Sequence, residues 1–121
     1  MLNHIAVIGR LTNDPELHST PAGVPVANYT LAVDRDNKNS DGQRMADFID
    51  ITSWRAQAEY VERNFHKGDM LAVSGRLQSR KWKDRDGNNR TSWGIEAEDV
   101  YPVRTARREE AEAPAAEEGE E

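Results

Sequence analysis

The sequence predicts an all-β domain: a small barrel of five strands, with one short helix between the third and the fourth. Three observations carry this expectation. Period-2 alternation recurs in separate stretches, turn-forming residues punctuate them at short intervals, and only one stretch has helical spacing.

His4 to Leu11 (HIAVIGRL) is rich in β-branched residues and runs into NDPE, a turn signal, so it gives the first strand, with Gly9 marking a bend. PAG at 21–23 is a loop. VPVANYTLAVDR then alternates, sending Ala27, Tyr29, Leu31 and Val33 to one face and Asn28, Thr30 and Ala32 to the other. This is a half-buried second strand. DNKNSDGQ at 36–43 is a polar hairpin tip, and ADFIDITSW is the third strand.

AQAEYVERNFHKGD has Ala58, Val61 and Phe65 at helical spacing, with His66 and Lys67 suited to the negative end of the helix dipole and Gly68 to a left-handed cap. MLAVSGRL is the fourth strand, with Leu71, Val73, Gly75 and Leu77 on one face. KWKDRDGNNRTSW reads as a long hairpin arm turning at Asp86-Gly87, and GIEAEDVYPV returns as the fifth strand, stopped by Pro102. This element order is that of an OB-fold, a five-stranded Greek-key barrel. Residues 1–103 are the expected domain. From Arg104, RTARREEAEAPAAEEGEE holds almost no large apolar residue, and 104–121 is predicted to be a disordered acidic tail.

Net charge averages unlike regions. Residues 109–121 carry seven glutamates and no cation, so the remaining 108 residues hold 16 Lys and Arg against 15 Asp and Glu. The body is nearly neutral, and residues 76–90 hold six cations and two acids. That stretch can attract a polyanion where the whole-chain charge of -6 would not. The absence of cysteine excludes disulfides and thiolate metal sites and fits a reducing cytoplasm, and no stretch is long and apolar enough for a membrane span. His4, His18 and His66 fall in unrelated places, and no nucleophile elbow, HExxH or phosphate-binding glycine loop occurs. Neither enzyme chemistry, nor a cofactor, nor a metal is expected.

The aromatic residues point elsewhere. In the third strand Ile49, Ile51 and Ser53 claim the core, leaving Phe48 and Trp54 outward beside Asp50 and Thr52. The fourth strand and its arm send Arg76, Gln78, Arg80 and Trp82 outward. Rings left in water forfeit burial. Unpaired nucleic acid gives them a use, because bases stack on rings while Lys and Arg follow the phosphates. Phe48, Trp54 and Trp82 are the candidate stacking residues. Arg10, Arg35, Arg55, Arg76, Arg80, Lys81, Lys83 and Arg90 are the candidate phosphate contacts. Trp93 reads as packing or a subunit contact and Tyr29 as core. Three other readings stay open: an RNA-binding module, a primosome-type module, and a protein-interaction platform.

VIGRLTNDPEL, PAGVPVANYTLAV, ADFIDITSWRAQAE, HKGDMLAVSGRLQSRKW and DGNNR together resemble the bacterial single-stranded DNA-binding protein family across residues 1–103. The resemblance implies a non-catalytic homotetramer that wraps single-stranded DNA in replication, recombination and repair, in the cytoplasm and on the nucleoid. It implies stacking by Phe48, Trp54 and Trp82. A fourth family ring would fall on or near Asn37, where this chain has none, which implies weaker binding or a shorter footprint. His4 and His18 stand where the family often has a cation, implying a mild pH dependence. The family's acidic tip with a terminal Phe has no match in EEGEE, so docking of replication and repair proteins is not carried over. The tail is left as a solubilising segment or as a competitor for the basic groove.

Overall fold

The computed structural model describes residues 1–38 and 40–103, without the side chains at 37 and 38; the expectations for Asn37 and for the tail at 104–121 lie outside the described residues. Six strands and one helix follow in the order β1 (Ile5–Leu11), β2 (Glu16–Ser19), β3 (Pro25–Lys38), β4 (Arg44–Trp54), α1 (Ala56–Asn64), β5 (Met70–Lys83) and β6 (Asn89–Pro102).

Five of the strands close a barrel in the order β1-β5-β6-β4-β3, and β3 returns to β1 through Arg10 opposite Ala32 and Leu11 opposite Leu31. All pairings are antiparallel except β4 with β6, where Asp50, Ile51 and Thr52 run alongside Gly94, Ile95 and Glu96. Closure removes the sheet edges that a flat five-stranded sheet would expose. Inside lie Leu11, Tyr29, Leu31, Ile51, Leu71, Val73 and Ile95, with Val61 and Phe65 from the helix region. The alternation expected of β3, β4 and β5 is the alternation observed, except that Leu77, expected inward with Leu71 and Val73, is 38% exposed because burial in β5 ends at Gly75.

Two close approaches shape the barrel. Between Ser74 and Gly75 the β5–β6 register shifts, pairing Ser74 with Asp99 and Gly75 with Ala97, so Glu98 is a bulge residue in β6. The bulge changes the phase of β6 alone, and Val100 rejoins the core side after Ile95 and Ala97. At Gly75 a methyl group would overlap the carbonyl oxygen of Glu96.

The structure departs from the sequence expectations in three places. β2 is a strand, paired with β3 from Glu16 opposite Asn28 to Ser19 opposite Pro25, and its four residues are all exposed, so no alternation marked it. The helix ends at Asn64, because Phe65 turns to extended backbone and drives its ring into the core. His66, Lys67 and Gly68 instead form a turn, in which Asp69 N–H donates to His66 O at 3.0 Å and Gly68, at φ 93°, donates to Leu11 O at 2.9 Å. Finally, β5 and β6 extend through the arm as one continuous ribbon, from Leu71 opposite Pro102 to Lys83 opposite Asn89.

Candidate functional site

Strand register assembles one polar face across four strands. Asn28 and Thr30 of β3 lie opposite Thr52 and Asp50 of β4, and Asp50 and Thr52 run beside Gly94 and Glu96 of β6. Those residues lie opposite Gln78 and Arg76 of β5. Directly opposed residues share a face, so Phe48, Trp54, Arg76, Arg80 and Trp82 all project from the same side.

The three candidate rings stand in solvent: Phe48 is 71% exposed, Trp54 38% and Trp82 46%. Trp82 keeps its polar edge satisfied by donating from Nε1 to Ser92 Oγ at 2.8 Å, which leaves its flat face available. Between the rings the surface is a hydrogen-bonded floor. Thr30 donates to Asp50 (2.9 Å), Thr52 donates to Asn28 Oδ1 (3.2 Å), and the Asn28 amide donates to His18 Nε2 (2.7 Å). Tyr29 lies beneath, buried, with its hydroxyl 2.8 Å from Ser53 Oγ. Desolvation pushes its pKa up to about 12, against a smaller lowering from the Ser53 hydrogen bond.

A groove of about 570 Å³ crosses this face. The loop Thr12–Asp14 and Glu16 form one wall, and Ser79, Arg80, Ser92 and Trp93 at the base of the arm form another, with Trp54 also in the lining. Asp14, Glu16, Asp50 and Glu96 all line it, and Arg80 is the single cation in that lining among the described residues. Such a floor recognises by stacking and hydrogen bonding; attraction for a polyanion has to come from its rim.

The candidate cations divide accordingly. Arg35 is held by Asp47 in a fork, with donor–acceptor distances of 2.7 and 3.1 Å. That hydrogen bond is the main reason the Asp47 carboxyl lies below its ordinary range and the Arg35 guanidinium above its own. Arg76 pairs with Glu96 at 3.5 Å and Arg90 with Asp84 at 2.9 Å. The Asp84 carboxyl is lowered first by the Asn88 backbone N–H and then by Arg90, and it organises the turn at the tip of the arm. Arg10 donates to Gly68 O at 3.4 Å, away from the groove lining. Arg55, next to Trp54, is exposed at the start of α1 with φ 61°.

Lys81 and Lys83 alternate with Trp82 along an unshifted stretch of β5, so they project from the opposite side of the arm. The structure therefore does not bring them to the Trp82 ring. The aromatic that sequence reasoning set aside is Trp93, which is 60% exposed in the groove wall and not packed. It shares parity with Ile95, an inward signal. Only the length of the arm, which carries β6 past the end of the barrel, turns that signal outward.

Among the described residues no group of His, Asp and Glu is placed to hold a metal ion, and no helix is long and apolar enough to cross a membrane. A second, apolar hollow of about 580 Å³ lies elsewhere on the barrel, lined by Ala6, Ile8, Val33, Ala72 and Tyr101 among others.

A model described as the Single-strand binding protein family matches residues 2–103. Single-stranded DNA-binding protein 2 of Listeria monocytogenes is 47% identical to this chain over 100 residues, which is 83% of this chain and 62% of the relative. Single-stranded DNA-binding protein A of Bacillus subtilis is 46% identical over 100 residues, covering 83% and 58%. A single-stranded DNA-binding protein of Halalkalibacterium halodurans is 47% identical over 100 residues, covering 83% and 60%. The chain thus matches about three fifths of the length of these relatives.

Proposed function

The chain belongs to the single-strand binding protein family, and we propose from that membership and the exposed rings that it binds single-stranded DNA without strong sequence preference. The observation that carries the reading is that Phe48, Trp54 and Trp82 share one sheet face, in solvent, with the polar edge of Trp82 already satisfied. A ring so placed offers its π-face to any base, for ~1–3 kcal/mol per stacked base. Arg80 at the groove, with Lys81, Lys83 and Arg85 on the arm, supplies the salt-dependent attraction to phosphates.

Protection and organisation of unpaired DNA during replication, recombination and repair follow as the cellular role, in the cytoplasm and without catalysis. Self-association to a homotetramer belongs to the same reading. The apolar hollow supports it, since Ile8 and Tyr101 are 55% and 57% exposed beside Ala6, Val33 and Ala72, a surface that a second copy would take out of water. Light scattering measures that assembly.

Intrinsic fluorescence tests the binding. Adding poly(dT) at low salt quenches tryptophan emission, and affinity falls as salt rises; no quenching at low salt rejects the proposal. An equal-length RNA competitor that displaces the DNA at stoichiometric concentration would reassign the chain as an RNA-binding or primosome-type module.

A further inference from the structure

We infer that the β5–β6 arm carries a second nucleotide platform, Trp93 with Lys81 and Lys83, on the side opposite Trp82, so that an unpaired strand engages both faces of the arm. The inference rests on the single-stranded DNA reading above and deepens it.

The register sets the arrangement. Trp93 lies directly opposite Ser79, Lys81 opposite Thr91 and Lys83 opposite Asn89, and no shift interrupts the pairing between Gly75 and Lys83. Those six residues therefore share one face of the ribbon, while Arg80, Trp82, Arg90 and Ser92 share the other. Trp93 and Lys81 are diagonal neighbours, roughly 7–8 Å apart at Cα and within reach of a lysine stem.

The two faces differ in how much of their charge is free. On the Trp82 side Arg76 and Arg90 are held by Glu96 and Asp84, which leaves Arg80. On the Trp93 side neither Lys81 nor Lys83 has an acidic partner among the described residues. Two cations that need not break an ion pair to reach a phosphate therefore share the face of the more exposed of the arm's two indoles, both on its side toward the arm's tip. Trp93 differs from Trp82 in a second respect: among the described residues nothing accepts a hydrogen bond from its indole N–H. Toward the tip of the arm its face continues in polar Ser79, Thr91 and Asn89, and toward the barrel it adjoins Leu77, 38% exposed, and buried Ile95. Toward the tip this is a stacking ring among hydrogen-bonders and cations, and Leu77 is the exposed apolar neighbour on its barrel side, less apolar area than the ring of residues with which a protein hot spot excludes water.

Continuity with the described groove places the platform on the path of a bound strand. Trp93 and Trp54 line the same groove. Gly94 allows this, since a Cβ there would come within 3.1 Å of Asp50 O, and the missing side chain lets β6 lie close against β4 with Trp93 at the groove wall. A strand leaving Trp54 meets Trp93 at the base of the arm.

Single-tryptophan variants of the full chain test this. Trp54→Phe with Trp82→Phe leaves only Trp93; the other two pairs of substitutions leave only Trp54 or only Trp82. With poly(dT) at low salt, emission from the Trp93-only protein is expected to quench to saturation, and Trp93→Ala to weaken binding about tenfold, the loss of one stacked base. Lys81→Gln with Lys83→Gln is expected to lower the slope of log affinity against log salt by roughly 1.4, two phosphates on a single strand. Unchanged Trp93-only emission at a concentration that saturates the Trp54-only protein overturns the inference and leaves the general reading standing. Trp93-only emission shielded from iodide before any DNA is added overturns it in favour of a subunit contact. If none of the three proteins quenches, the single-stranded DNA reading itself fails.

Discussion

Trp82 Nε1 donates to Ser92 Oγ at 2.8 Å across the β5–β6 ribbon, and this contact holds an indole in water beside cations without leaving its N–H unpartnered. The ring is then held against the ribbon instead of sampling free rotamers. Ser92→Ala removes the acceptor and is expected to weaken single-stranded DNA binding by about 0.5–1 kcal/mol, less than the ~1–3 kcal/mol expected of Trp82→Ala. Neither change shifts the urea unfolding midpoint, because both side chains are exposed. Fluorescence anisotropy of a labelled oligonucleotide measures the first effect, and circular dichroism the second.

Arg35 and Arg80 are both candidate phosphate contacts, yet the fork from Asp47 occupies Arg35 alone. Arg80→Gln is expected to reduce the salt dependence of log affinity by roughly 0.7, one phosphate. Arg35→Gln leaves that slope unchanged. Asp47→Asn, which keeps an acceptor but removes the charge, releases Arg35 and raises affinity at low salt. Titrations at several salt concentrations read all three.

The buried Tyr29–Ser53 pair gives stability an alkaline limit. Burial raises the tyrosine pKa from 10.0 to about 12 in the fold. Below pH 10 both folded and unfolded chains keep the proton, and the contribution is complete. Between pH 10 and 12 the unfolded chain loses a proton that the fold retains, so stability falls by roughly 2–3 kcal/mol across that window. Tyr29→Phe removes this dependence while costing about 1 kcal/mol at neutral pH, where Ser53 loses its partner. Urea unfolding of both proteins at neutral pH and above about pH 11 shows the difference between them shrinking or reversing.

Gly75 tests the closure of the barrel. Any side chain there meets the carbonyl oxygen of Glu96 and the backbone of Ala97 at the register shift, and backbone paired in a sheet has little room to yield. Gly75→Ala is expected to destabilise by about 3 kcal/mol or more, as overpacking against backbone does. Thermal unfolding measures it. Gly23, whose added Cβ would meet nothing within 4 Å but whose φ is 85°, is expected to cost less on the same change, through its backbone conformation alone.

Much of this was legible in the sequence because a strand with one buried face writes its orientation as parity. Ile49, Ile51 and Ser53 fixed β4, and Phe48 and Trp54 followed as outward; Leu71 and Val73 did the same for β5. What parity could not show was how far each strand runs. Trp93 shares the phase of buried Ile95, and only the extension of β6 past the barrel exposes it. Lys81 and Lys83 are adjacent to Trp82 in sequence and opposite to it in space. The ion pairs of Arg35 with Asp47 and Arg76 with Glu96 depend on register between strands, 12 and 20 residues apart, which no local pattern encodes, and that of Arg90 with Asp84 on the closed turn at the arm's tip. β2 was hidden because four exposed residues bury nothing and so leave no periodic trace.

The central claim is that bases lie on the outward rings of the sheet. Ultraviolet cross-linking of the full chain to single-stranded DNA, with the adducts mapped by mass spectrometry, tests it most directly. Adducts at Phe48, Trp54 and Trp82, suppressed by excess unlabelled poly(dT), are the result this structure predicts. Cross-links confined to Tyr101 and Ile8 around the apolar hollow, with the three rings unmodified at saturating DNA, would contradict it.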